Sequence, residues 1–133
     1  MDYLIGLILG LTVSGSATLI GLDRSRAFYP TVLIVVASYY ALFAAMGASN
    51  DTLGMEALMG LGFSFLAVLG FKTACGFLVA AALVGHGVFD VFLHHLWIEN
   101  PGMPIWWPGF CAGADVSLGA WLAFRLLKGP VLT

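Results

Sequence analysis

Long apolar runs alternate with short polar interruptions along this chain, and the interruptions carry half of its charged residues. The first run covers about 3–22 and ends in Asp23-Arg24-Ser25-Arg26. Within it, Gly6 and Gly10 match a helix-association spacing. A second run opens with Pro30, a favoured first-turn residue, and continues to Gly47. Ala48 to Gly54 (ASNDTLG) has turn chemistry. Asp51 and Glu56 follow where the dipole of a new helix favours acids, so Glu56 is expected to be a surface acid in a first turn.

From Met55 to Ile98 only Gly70-Phe71-Lys72-Thr73 interrupts the apolar character. One helix over that stretch would be about 66 Å long, twice the roughly 30 Å hydrocarbon core of a bilayer, and two helices fit far better. The last run starts at Pro108 and stops near Lys128, before Gly129-Pro130. The pattern predicts an all-α polytopic membrane bundle, a single integral membrane domain over 1–133. Its five transmembrane helices are expected at about 3–22, 30–47, 55–71, 73–97 and 108–128. A transmembrane barrel would instead show alternating strands of about ten residues.

Composition agrees with this class. The 133 residues are 61% hydrophobic and 9% charged, with a mean hydropathy of +1.01. Soluble domains carry about 25% charged residues. The net charge of −2 and the lack of any basic run give no reason to expect a nucleic-acid partner. Met1-Asp2-Tyr3 lacks the positive start of a secretory signal, so the first apolar run is expected to remain in the protein. The expected surroundings are the lipid bilayer of a cell inner (plasma) membrane, with a homo-oligomer or a larger membrane complex as open partner readings.

Charge also orients the chain. With five crossings and the N-terminus outside, Arg24, Arg26, Lys72, Arg125 and Lys128 all fall on the inner side. Asp2, Asp51, Glu56 and Glu99 then fall on the outer side, and the C-terminus is inside. Four crossings would leave Lys72 in mid-membrane.

Candidate chemistry concentrates between Gly85 and Asp115, which holds all three histidines and three of the seven acids. Ionisable groups within apolar spans are costly and usually functional. At 100° per residue, His86, Asp90 and His94 lie at about 0°, 40° and 80° on one helix face, with His95 near 180°. The His86–His94 ladder is about 12 Å long, too long for one ion to take all three residues. One i, i+4 pair with Asp115 from the last helix could form a site for a divalent transition metal such as Zn. Candidate metal ligands are therefore His86, Asp90, His94 and Asp115. Tyr40, at the same expected depth as Asp90 and Asp115, is a further candidate for binding a ligand or a proton.

A polar seam fastening helices, a metal, small-ligand or catalytic site, and a proton- or ion-coupled pathway are all compatible with this ladder. Whether the protein is an enzyme is left open. His95, Glu99, Trp106 and Trp107 are expected at the membrane interface; Cys111, close in depth to His94, is expected as a packed free thiol, with membership of a metal site as the other reading. Cys75 and Cys111 should lie more than about 20 Å apart along the helices, beyond the roughly 7 Å reach of a disulfide.

The residues His86, Gly87, Phe89 and Asp90, then Asn100, Pro101, Gly102, Pro104, Trp106, Trp107, Pro108, Phe110, Cys111 and Asp115, form the pattern HGxFD…NPGxPxWWPxFC…D. It resembles a group of small uncharacterised bacterial multi-pass integral membrane proteins, over about the last third of the chain. The resemblance implies a bacterial membrane protein and no particular activity. The expected topology puts Cys111 toward the outside and Cys75 toward the inside. A membrane-impermeant thiol reagent should therefore distinguish them by side, and access to both from one side would contradict five crossings.

Overall fold

Local signals fix where the helices begin and end. The computed structural model describes residues 1–129, so Pro130 of the expected stop signal lies outside the described residues. The helices are α1 (Asp2–Ile20), α2 (Phe28–Gly47), α3 (Asn50–Lys72), α4 (Gly76–Phe92), the four-residue α5 (His94–Trp97) and α6 (Trp107–Lys128). A short 3-10 turn covers Leu22–Arg24, and the described residues contain no strand. Gly21 closes α1 in the left-handed region at φ 80°. Ala74, at φ 53°, makes the tight reversal between α3 and α4.

Two boundaries differ from the sequence expectation in ways that matter. The Ser49 side chain accepts a hydrogen bond from the Thr52 N–H at 3.2 Å, an N-cap that starts α3 at Asn50 rather than at 55. Glu56 consequently sits well inside the helix, and it is 1% exposed rather than a surface acid. The helix expected over 73–97 is interrupted after Phe92. Leu93 adopts φ −114°, and α5 restarts the chain in a new direction.

α1, α2, α3 and α6 are long and apolar enough to cross a membrane, and the 17-residue α4 is a shorter apolar helix. Polarity is distributed as a bilayer would require. Leu4, Ile8, Leu58, Leu61, Phe65 and Phe92 are exposed, whereas Asp23, Glu56, His86, Asp90, His94 and Asp115 are buried. For a chain surrounded by water this would be inside out.

α6 is the hub, packed most extensively against α1 and α4. It runs in the same direction as α1, with Gly6 against Phe110 and Ala114, and Gly10 against Ala114 and Ser117. A Cβ at Gly6 would run into the Phe110 carbonyl, and one at Gly113 into the Tyr3 carbonyl. α4 runs antiparallel to α6, with Gly87 against Ala112 and Gly119 against Ala80. Small residues thus let three helix backbones meet closely, as membrane packing favours.

Toward the Lys72–Lys128 end, Tyr29, Leu33, Ala67, Val79, Leu83, Leu118 and Leu122 form an apolar core. The Asp23 carboxylate accepts from Thr18 Oγ1 at 2.7 Å and lies 3.4 Å from Arg125 Nε, holding the α1–α2 corner to α6. Toward the opposite end Tyr40, Trp107 and Cys111 pack with Tyr39, Phe43 and Phe110. Trp107, at 9% exposure, therefore fills the interior instead of decorating the interface, because α6 opens one residue before Pro108 and turns that ring inward. Trp106 is exposed.

Both cysteines are free, but Cys111 is buried, so an outward thiol reporter has to be placed elsewhere, for example as Glu99→Cys. Replacing Gly6 or Gly113 by Leu should separate α1 from α6 and cost about 1–3 kcal/mol. Gly15→Ala, where nothing lies within 4 Å of the added Cβ, should be neutral or slightly stabilising. Unfolding in detergent compares the three. Equal stability of Gly6→Leu and the unmodified chain would refute the close α1–α6 contact.

Candidate metal centre between α4 and α6

The close α4–α6 approach brings donors from two helices to one level. His86 and Asp90 are one turn apart on α4, and Cys111 and Asp115 one turn apart on α6. Asp115 Oδ2 joins them. It lies 2.6 Å from His86 Nδ1 and accepts the Cys111 S–H at 3.2 Å. Asp90 Oδ2 is 3.4 Å from the same His86 nitrogen. One ligand atom from each residue can be chosen so that all four lie within 4.8 Å of one another, and all four residues are buried.

Hydrogen bonding leaves this group incomplete. Neither Asp90 oxygen has a hydrogen bond of sound geometry, and Asp115 Oδ1 has none. The Tyr40 hydroxyl and the Cys111 thiol approach the Asp90 carboxylate, but neither makes a well-formed bond to it. Two buried carboxylates with so few donors are costly in an apolar bundle unless positive charge or protons offset them. Around them the walls are aromatic. Phe63 stands edge-on to His86 at 4.6 Å between ring centroids, and Tyr40 at 5.8 Å.

His94 lies apart from this group. It starts α5 after the break at Leu93 and pairs with α3, where His94 Nε2 is 2.6 Å from Glu56 Oε1. Asn100 Nδ2 donates to the same Glu56 oxygen at 3.1 Å and to the Tyr40 carbonyl at 3.1 Å. Asn100 Oδ1 in turn accepts the Gly102 N–H. Glu56, His94 and Asn100 thus form a well-satisfied clasp that fastens α3, α5 and the following loop to α2. The Tyr40 ring lies between the two polar groups, 4.8 Å from His94 and 5.8 Å from His86.

Of the residues singled out in the sequence, the fold brings His86, Asp90 and Asp115 together, places Tyr40 beside them, and sends His94 to Glu56. Cys111 is a free, buried thiol as expected, and it also stands among the donors that could hold an ion. Its i, i+4 spacing to Asp115 on α6 was the available signal. Asn100 carried only a turn signal, before Pro101-Gly102. His95 and Glu99 are exposed, as expected of interfacial residues.

Replacing Glu56 by Ala leaves His94 and Asn100 without their shared acceptor and should cost about 1–3 kcal/mol. Glu56→Gln keeps an acceptor for Asn100 and should cost less. Melting temperatures of the detergent-solubilised variants measure this, and an unchanged Glu56→Ala would show that the clasp contributes nothing. Comparison with protein-family models, with curated proteins and with solved structures returns no match, and the chemistry assigned to the site rests on its own geometry.

Proposed function

We propose that this is a bacterial inner-membrane protein that binds a divalent transition metal, of the Zn class, at His86, Asp90, Cys111 and Asp115. The observation that carries this reading is the buried four-residue cluster with donors within 4.8 Å of one another and carboxylate oxygens left without hydrogen-bond donors. Tetrahedral coordination with bonds of about 2.0–2.3 Å needs donor separations of about 3.3–3.8 Å, so the His86–Asp115 pair at 2.6 Å would open and the longer separations, up to 4.8 Å, would close. One imidazole, one thiolate and two carboxylates favour a borderline ion over Mg or Ca, which prefer all-oxygen sites. A dication bound with neutral His86 offsets two of the three negative charges that the carboxylates and the Cys111 thiolate bring, which lowers the cost of burying them. Coordination through His86 Nδ1 places the ring proton on Nε2, and binding releases the Cys111 thiol proton.

Five crossings with the N-terminus outside and the C-terminus inside complete the proposal. α4 alone rises about 26 Å, enough to cross most of a roughly 30 Å hydrocarbon core. In that orientation the Glu99 loop is outside and the metal centre lies in the outer half of the bilayer. A second reading, exchange of protons or ions at the same carboxylates, is favoured by the unpartnered Asp90.

Elemental analysis after native purification tests the main reading. Stoichiometric transition metal is expected, with binding weakened by more than about tenfold in Cys111→Ser and in Asp115→Asn, since even residues behind a ligand are worth 10- to 100-fold in affinity. No metal in the unmodified chain after exposure to Zn would contradict it. Proton flux in liposomes abolished by Asp90→Asn would then support the second reading.

A further inference from the structure

Asp90 belongs to two features at once. It is a member of the buried donor cluster, and it also lines an open cavity of about 530 Å³ at the Asn100 end of the bundle. Asp2, His94, His95, Glu99 and Asn100 line the same cavity. Asp90 is 2% exposed and neither carboxylate oxygen has a well-formed hydrogen bond, so its side chain is a buried acceptor at the cavity floor rather than one more acid at the rim. On the far side of the cluster the bundle is closed. Leu83 lies one turn from His86 on α4 and Leu118 one turn from Asp115 on α6, and both belong to the apolar core with Leu33, Val79 and Leu122. In that core only Tyr29 carries a polar side-chain atom, a single hydroxyl, and an ion stripped of water pays heavily to cross it.

We infer that the metal centre exchanges its cation through this cavity only, with Asp90 as the first ligand met, while the apolar core seals the centre toward the Lys72–Lys128 end. The inference rests on the metal-binding reading above. Asp2 and Glu99 at the mouth collect cations, since acidic clefts with low-dielectric walls raise local cation concentration and association rates. His86, Cys111 and Asp115 then complete the coordination around an ion already held by Asp90. The centre is thus a one-sided cup.

The test uses Co²⁺ as the probe, because its bond to a thiolate gives an absorption that reports arrival at Cys111. The full chain is reconstituted in lipid nanodiscs, and the rate at which this absorption appears after mixing is followed. Single cysteines are placed at His95 and, separately, at Ile105, which is fully exposed at the cavity rim, both in a Cys75→Ser background. A bulky membrane-impermeant thiol reagent is attached before Co²⁺ is added. Loading should slow at least tenfold at one or both positions relative to the same variants unmodified. The Cys75→Ser parent treated with the same reagent controls for attack on buried Cys111.

Modifying native Cys75, exposed at the opposite end, should leave the loading rate of the otherwise unaltered chain as it was. Unchanged loading with both rim adducts in place, or slowing by the Cys75 adduct, would overturn one-sided access while leaving the metal centre intact. A Co²⁺–thiolate signal that never appears in the unmodified chain would instead overturn the metal centre, and one-sided access with it.

Discussion

Two carboxylates and a histidine held between helices in an apolar bundle set the terms for the rest of this structure. His86 and Asp115 approach to 2.6 Å only because α4 and α6 meet almost backbone to backbone, and they do so at Gly87 and Gly119. An isolated ionised carboxylate in such surroundings is expensive, and here two share one imidazole. Helix contact and charge compensation therefore depend on each other. α6 meets α1 through Gly6 and Gly113 on one side and α4 through Gly87 and Gly119 on another, so the helix carrying Cys111 and Asp115 is also the one most firmly held.

The buried polar groups divide into two kinds. Glu56, His94 and Asn100 are matched donor to acceptor, and their partners lie on α2, α3, α5 and the loop that follows. Such a network specifies one arrangement of helices and asks for nothing further. Asp90 and Asp115, equally buried, retain oxygens without hydrogen-bond donors. That contrast separates the clasp from the group that could hold an ion. Tyr40 stands between them, buried, with its ring facing both histidines, so a change in either group is felt by the same side chain.

Much of this was legible from the residues alone. Run lengths and the position of Lys72 located the apolar helices and the turn between α3 and α4, because burying a charge or spanning 66 Å with one helix is physically unreasonable. The i, i+4 spacing of His86 and Asp90 put them on one face, since that stretch is regular helix. The pairing of His94 with Glu56 does not follow from periodicity: nothing about Leu93 marks the end of α4, and the contact with α3 is tertiary. Glu56 reads as a first-turn acid only if α3 starts at 55; the Ser49 cap, which moves that start to Asn50, competes in the sequence with several other polar residues in the same turn. Trp107 was assigned to the interface on residue type, whereas its neighbour Trp106 took that role. That Cys111 meets Asp90 and His86 depends on which face of α6 packs on α4, decided at Gly87 and Gly119, contacts that spacing on a single helix does not reveal.

The most direct measurement of the central claim is X-ray absorption at the metal edge of the Zn-loaded protein in detergent, compared with its Cys111→Ser variant. A first coordination shell containing one sulfur with nitrogen and oxygen neighbours, and loss of the sulfur in the variant, is the result expected if His86, Asp90, Cys111 and Asp115 hold the ion. A shell of oxygen and nitrogen alone in the unmodified protein, unaltered by Cys111→Ser, would contradict it.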